Sequence, residues 1–184
     1  MIYSVVVTGS GSSVTNATTS GYAYLTVDST LYSSASNWSQ LSNLYNFVRP
    51  IGVKITVTYC RATSSSDNPR VGFAQTPDGN PLGTAAMNLN TFESSLCKSY
   101  TAGPGQELVN WMPAKVQMAV YAPTINGYMS ASPGKLNVNS LPRIYYGDIL
   151  FFTPGVNLNT TANYVSYKLE FVMEFSVLDP LNIA

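Results

Sequence analysis

The clearest pattern of apolar and polar positions lies near the end of the chain. In NYVSYKLEFVMEFSVLD (residues 163–179), Val165, Tyr167, Leu169, Phe171, Met173, Phe175 and Val177 alternate with Tyr164, Ser166, Lys168, Glu170, Val172, Glu174 and Ser176. A period of two puts the first set on one face of an extended chain and the second on the other, whereas a helix would scatter both around its circumference. The run is long for a strand. Pro180, with no N–H to give to a ladder, marks its end. Such a strand is expected at the centre of a sheet, with the seven odd-numbered residues as its core face.

Weaker forms of the pattern recur upstream. Residues 2–8 are a short β-branched run and 21–28 (GYAYLTVD) a second. Ile51, Val53, Ile55, Val57 and Tyr59 alternate with Gly52, Lys54, Thr56, Thr58 and Cys60. Residues 70–75, 115–121, 128–131 and 143–153 read as further strands, the last either continuous with Gly147 as a bulge or divided in two. Asn126-Gly127 predicts a tight hairpin turn between two of them. Between the second and third strands the spacing changes. Trp38, Leu41, Leu44, Tyr45 and Val48 fall at helical intervals, which predicts a short helix over 38–47, with Ser36 or Asn37 as N-cap and Pro50 stopping it. Residues 9–20, 29–36, 63–69, 81–100, 102–106 and 154–162 read as loops, with a helical turn near 85–92.

About eight strands, Gly/Pro-marked turns and some long excursions between strands indicate an all-β fold: an eight-stranded jelly-roll sandwich of two Greek keys, with a short helix between the second and third strands. The 184 residues suit one domain, 1–184, with 1–20 as a first strand and loop and 21–180 as the core.

Composition narrows the function. Charged residues make up only 10% of the chain, against 45% hydrophobic residues and 13 tyrosines. The surface is therefore kept wet by hydroxyls and amides, which suits extensive protein contacts better than life as a dispersed monomer. Nine basic and nine acidic residues cancel, and no basic arm or patch announces nucleic acid. The start, MIYSVVVTGSGSS, lacks the positive charge and long apolar core of a signal peptide. No apolar run is long enough to span a bilayer, so no membrane partner is expected. Cys60 and Cys97 are read as two free thiols. The sequons at Asn16, Asn37 and Asn159 are chance matches in a Ser/Thr-rich chain.

The chain is not expected to be an enzyme. The absence of histidine excludes Ser-His-Asp and Cys-His arrangements and cupin metal sites, and with only two cysteines beside it leaves no zinc set. Glu170 and Glu174 share a face of the last strand, as a glycosidase pair can, but with Lys168 beside them they read as a solvated face. Asp67, Asp78 and Asp148 are the calcium candidates, in or beside turns, where aspartates commonly serve the backbone. Trp38 and Trp111 are candidates for sugar platforms or interface anchors, or else ordinary packing. Arg49, Lys54, Arg61 and Arg70 are the nucleic-acid-binding candidates, against a reading as ordinary surface charge.

The passage NWSQLSNLYNFVRPIGVKITVTY carries Trp38, Leu41, Tyr45, Phe47, Arg49 and Val53 in an order that resembles the helix-then-strand passage of small icosahedral virus coat proteins with a single jelly roll. The ending YVSYKLEFVMEFSVLDP is similar to the terminal strand of the same coats. The likeness is strongest to tombusvirus-like shell domains and to the coats of small circular single-stranded DNA viruses. It implies a structural capsid protein of the virion, assembled in the host cell as many copies of itself in an icosahedral shell around a viral genome, with calcium at subunit interfaces in some relatives. The chain departs from those coats in having no Arg/Lys-rich arm: residues 2–20 carry no charge. The alternative is a jelly-roll binding module that holds a carbohydrate or a receptor.

Overall fold

A computed structural model describes residues 1–10, 22–59, 70–75, 98–101, 107–120, 127–131, 133–152 and 165–177. In chain order the strands are β1 (Ile2–Ser10), β2 (Tyr22–Asp28), β3 (Phe47–Tyr59), β4 (Arg70–Ala74), β5 (Lys98–Thr101), β6 (Glu107–Pro113), β7 (Lys115–Val120), β8 (Gly127–Ala131), β9 (Leu136–Asn137), β10 (Ile144–Phe152) and β11 (Val165–Ser176). Helix α1 spans Trp38–Leu44, preceded by a 3-10 helix at Ser29–Ser34. A second 3-10 turn covers Val138–Ser140.

The strands form two antiparallel sheets. One runs β1-β11-β3-β6, with β9 also on β3. In the other, β10 carries β2 on one side and β4, then β5, on the opposite side. The β7–β8 hairpin joins β10 at Ile144 and Tyr145, beyond the end of β4. Without β7, β8 and β9, the pairs are β1 with β11, β2 with β10, β3 with β6 and β4 with β5. Each pair is nested inside the one before it, so the chain is a single long hairpin rolled into two facing sheets. That is the jelly roll expected from the sequence.

Strand β11 is central, paired along its length with β1 on one side and β3 on the other. Tyr167, Leu169, Phe171, Met173 and Phe175 are buried, as the alternation requires. Val177 is a correction: it lies past the last ladder pair, Ser176 with Phe47, and is 59% exposed. Alternation predicts a face only while the ladder continues. The side chain of Val165 lies outside the described residues.

Two bulges set the inward faces. In β3, Val48 and Pro50 are buried on even numbers, then Val53, Ile55 and Val57 on odd numbers. The register slips between Val172 and Met173 of β11, which pair with Gly52 and Pro50, leaving Ile51 as the extra residue. One additional residue reverses the parity, so both halves of a 13-residue strand face the core. Ile51 therefore does not line up with Val53, contrary to expectation. Pro50 lies within the strand, at the irregularity that tolerates it, rather than ending a helix. In β10 the shift falls between Tyr145 and Gly147. There Ile144 and Tyr146 face the core before it and Ile149 after it. Gly147, at φ +157°, leaves no room for a Cβ, which would run into Met112 Sδ and the Ala74 carbonyl.

Other expectations are revised. Helix α1 stops at Leu44, because Phe47 and Val48 are already claimed by β9 and β11. Asn37 occupies its N-cap position but makes no side-chain cap; its Nδ2 donates to Ser4 O at 3.0 Å. Residues 98–100, expected in a loop, belong to β5, and β6 was not expected at all. The β7–β8 ladder closes at Val120 with Gly127, so six residues, not two, connect the strands. Cys60, Cys97, the remaining loops and the proposed turn at 85–92 lie outside the described residues.

Helix α1 and the preceding 3-10 helix close one end of the sandwich. Leu41, Tyr32 and Ala35 enter the core, and Trp38 packs against it. Tyr32 stacks edge-on to Phe171 and sits 4.9 Å from the Trp38 ring. Gln75 ties the sheets together, donating to Pro113 O at 2.6 Å and to Tyr146 O at 2.5 Å.

Candidate functional site

Two features of the surface offer function: the outward face of the β1-β11-β3-β6 sheet, and a cleft at the helix-bearing end of the sandwich.

The outward face is built from the alternate residues that the core does not take. Across it run Val6 on β1, Glu170 on β11, Lys54 on β3 and Trp111 on β6 in register. Five of its charges are paired within the chain, while Glu107 is exposed at the start of β6. Arg49 Nη2 meets Glu174 Oε2 at 2.7 Å, Lys54 Nζ lies 3.7 Å from Glu170 Oε2, and Lys168 Nζ lies 3.0 Å from Glu170 Oε1. The hydrogen bond from Lys168, then the two lysine charges, hold the Glu170 carboxyl below its usual range against the opposing effect of burial. Glu170 and Glu174 are thus the anionic halves of ion pairs. At the β6 edge this face becomes apolar: Val109 and Trp111 are exposed, Trp111 by 48%. The indole lies over Gly52 on β3, where a Cβ would collide with it. An exposed edge strand carrying an aromatic ring is a natural place for another chain to dock.

The cleft has a volume of about 470 Å³. Its walls come from the 3-10 helix, from Trp38 of α1 and from the segment leading into β10. Beside it, buried Asp28 ends β2. Its Oδ1 accepts from Thr30 N at 3.0 Å and also from Thr30 Oγ1. Its Oδ2 accepts from Arg143 Nη2 at 2.8 Å and Nε at 2.9 Å. Tyr32, on the cleft's inner side, shares a buried hydroxyl–hydroxyl hydrogen bond with Tyr146. Burial pushes both phenols well above their usual range.

The sequence candidates are distributed as follows. Arg49 and Lys54 lie on the outward face of β3 in the ion pairs just described, while the backbone of Arg70 lies on β4 of the other sheet. Arg61, Asp67 and Asp78 lie outside the described residues. Asp148 is not in a turn, contrary to expectation. It is fully buried on β10 just after the bulge, with Oδ1 accepting from Thr26 Oγ1 and Oδ2 from Tyr145 OH, each at 2.7 Å. With both oxygens so engaged and no solvent access, it is unsuited to a surface cation. Among the described residues no group of three or more acidic or cysteine side chains is placed to hold a metal, and no helix is long and apolar enough to cross a membrane. Sequence reasoning missed the Asp28–Arg143 pair, separated by 115 residues, and the exposure of Val109. In ELVNWMP the inward residues include Asn110 and the outward ones Val109 and Trp111, so polarity does not mark the faces.

The fold defines a single jelly-roll sandwich of the kind found in small virus capsid subunits. No protein-family profile and no curated protein matches the chain. Among solved structures, it is similar to the capsid protein of BFDV, solved as a 60-mer, at a TM-score of 0.55 and 16% identity over 98% of this chain and 95% of that one. Mud crab tombus-like virus also matches, at a TM-score of 0.48 and 14% identity over 98% and 92% of the two chains. So does Cocksfoot mottle virus, at 0.47 and 12% over 100% and 88%.

Proposed function

We propose that this chain is a structural capsid protein, a shell subunit that associates with many copies of itself to form the coat of a virion assembled in a host cell. The observation that carries the reading is the likeness of its nested jelly roll, over 98% of this chain and 95% of that one, to a capsid protein solved as a 60-mer. The sparse charge, the neutralised outward face and the exposed Trp111 edge support it, because a closed shell buries such surface repeatedly and without accumulated repulsion. Its role is mechanical and not catalytic. Arg49, Lys54, Arg61 and Arg70 remain the cations for any contact with a genome, and Asp67 and Asp78 the candidates for calcium between subunits.

Size decides the matter. Sixty chains of 19.8 kDa weigh about 1.2 MDa. Purified protein is expected to elute as a megadalton species by light scattering and to show uniform hollow particles by negative-stain microscopy. A monodisperse monomer at micromolar concentration in every buffer would overturn the proposal.

A further inference from the structure

The cleft beside Asp28 has no part in the shell reading, and its chemistry is specific. We propose that it binds a carboxylate-bearing sugar, with the sugar ring against Trp38 and the carboxylate on Arg143. Three observations on separate elements converge. The volume, about 470 Å³, lies in the ordinary range for small-molecule sites and has room for one or two pyranose rings. Trp38 supplies an apolar wall that is held in place, its ring packed on Tyr32 and Phe175 with centroids 4.9 and 6.3 Å away. Indole faces accept the C–H side of a sugar ring.

The polar groups select the rest of the ligand. Thr30 Oγ1 donates to Asp28 Oδ1 and Ser33 Oγ to Thr30 O, while Ser29 Oγ accepts from Ile144 N at 3.0 Å. The protons of Thr30 and Ser33 are spent inside the chain, so toward the cleft these two oxygens are acceptors. The complementary ligand is rich in hydroxyl donors. Arg143 is the cation that lines the cleft, 53% exposed. Nε and Nη2 are engaged by a single oxygen of Asp28, which anchors the guanidinium and leaves donors of the fork facing outward. A fork so fixed favours a planar carboxylate over a neutral group.

The site belongs to the single chain, so its test does not depend on assembly. The probes are glucuronate and glucose, which differ at C6 by carboxylate against hydroxymethyl, followed through Trp fluorescence and ligand-observed NMR. Glucuronate is expected to bind with a dissociation constant on the order of 1 mM, ordinary for a ligand this small, and glucose roughly tenfold more weakly, the value of one charge-assisted contact. Ser33→Phe, at an exposed position, fills the cleft without entering the core and is expected to abolish binding. Arg143→Lys keeps a cation beside Asp28 but loses the fork, and is expected to erase the preference for glucuronate. Absence of saturable binding up to about 50 mM, equal binding of the two sugars by the unmodified protein, or undiminished binding by a folded Ser33→Phe variant would each overturn the proposal. The two-sugar comparison needs no variant and stands even where a substitution impairs folding.

Discussion

The indole of Trp111 lies across the backbone of Gly52 on the neighbouring strand, where even one methyl group would collide with it. Gly52 pairs with Pro113 and Lys54 with Trp111, so the contact is diagonal across two antiparallel strands. It covers a glycine that would otherwise weaken a central strand and fixes an aromatic ring outward at the sheet edge. Gly52→Ala is expected to lower stability by about 1–3 kcal/mol, the usual cost of overpacking. Trp111→Ala in the same chain should recover part of that loss, because the ring is removed while the Met112 carbonyl, 2.8 Å from the added methyl, stays in place. Urea denaturation of the two single variants and the double variant measures the coupling. Strict additivity would show that the ring does not rest on Gly52.

The register of β11 is tested by two substitutions six residues apart. Phe171 is fully buried, its ring 5.1 Å from those of both Tyr32 and Tyr146, whereas Val177 is 59% exposed. Phe171→Ala is expected to cost about 3–5 kcal/mol, transfer plus cavity. Val177→Ala should change stability by under about 0.5 kcal/mol. Similar effects at the two positions would mean that the inward face had been misassigned.

Alkaline pH should destabilise the fold through Tyr32 and Tyr146. Burial raises both phenols above the ordinary value of 10.0. In the unfolded chain they ionise near 10.0, so above that pH the unfolded state binds fewer protons than the folded one. Stability then falls as pH rises. Tyrosinate absorbance should show that not all 13 tyrosines titrate in the folded chain, Tyr32 and Tyr146 ionising only together with loss of the β-sheet signal. In Tyr146→Phe the alkaline midpoint should move upward relative to the neutral-pH stability. Smooth titration of all 13 in a chain that stays folded would refute the buried pair.

Much of this was legible in the sequence, and the failures have physical reasons. The alternation in β11 marked a central strand because it buries one complete face, while in β3 the alternation holds only from Val53 onward. Gly147 could be read either as a bulge or as a break between two short strands, and the β10–β2 ladder shows one strand whose register shifts there. Strand β6 was not readable: it is an edge strand with apolar residues on its wet face and Asn110 on the other, so its alternation carries no polarity. The parity change in β3 was hidden because Val48, Pro50, Val53 and Ile55 are all apolar, and only the partner strand reveals which residue is extra. The Asp28–Arg143 pair and the cleft beside it are products of topology, joining the end of β2 to the approach to β10. No local spacing announces them.

Assembly should depend little on salt. The reason lies on the outward face, where Arg49 with Glu174, and Lys54 and Lys168 with Glu170, are satisfied within one chain. Contacts between copies are then left to neutral groups such as Val109, Trp111 and the hydroxyls of Ser4, Thr8 and Thr56. Screening shortens the reach of charges to a few ångströms at molar salt but leaves apolar burial intact. Shells organised by phosphate neutralisation lose affinity steeply over the same range. Particle mass by light scattering is therefore expected to stay constant from low to high salt, and Trp111→Ala to reduce assembly far more than it reduces chain stability. Acid should act differently. The lowered carboxyl of Glu170 contributes stability that is present above its unfolded value of about 4.5 and lost as pH falls through the folded one, which leaves Lys54 and Lys168 uncompensated on the same face. Particles that hold in molar salt at neutral pH but loosen below pH 4.5 would fit this picture. Particles that dissociate in salt alone would show that charge, and not the Trp111 edge, joins the copies.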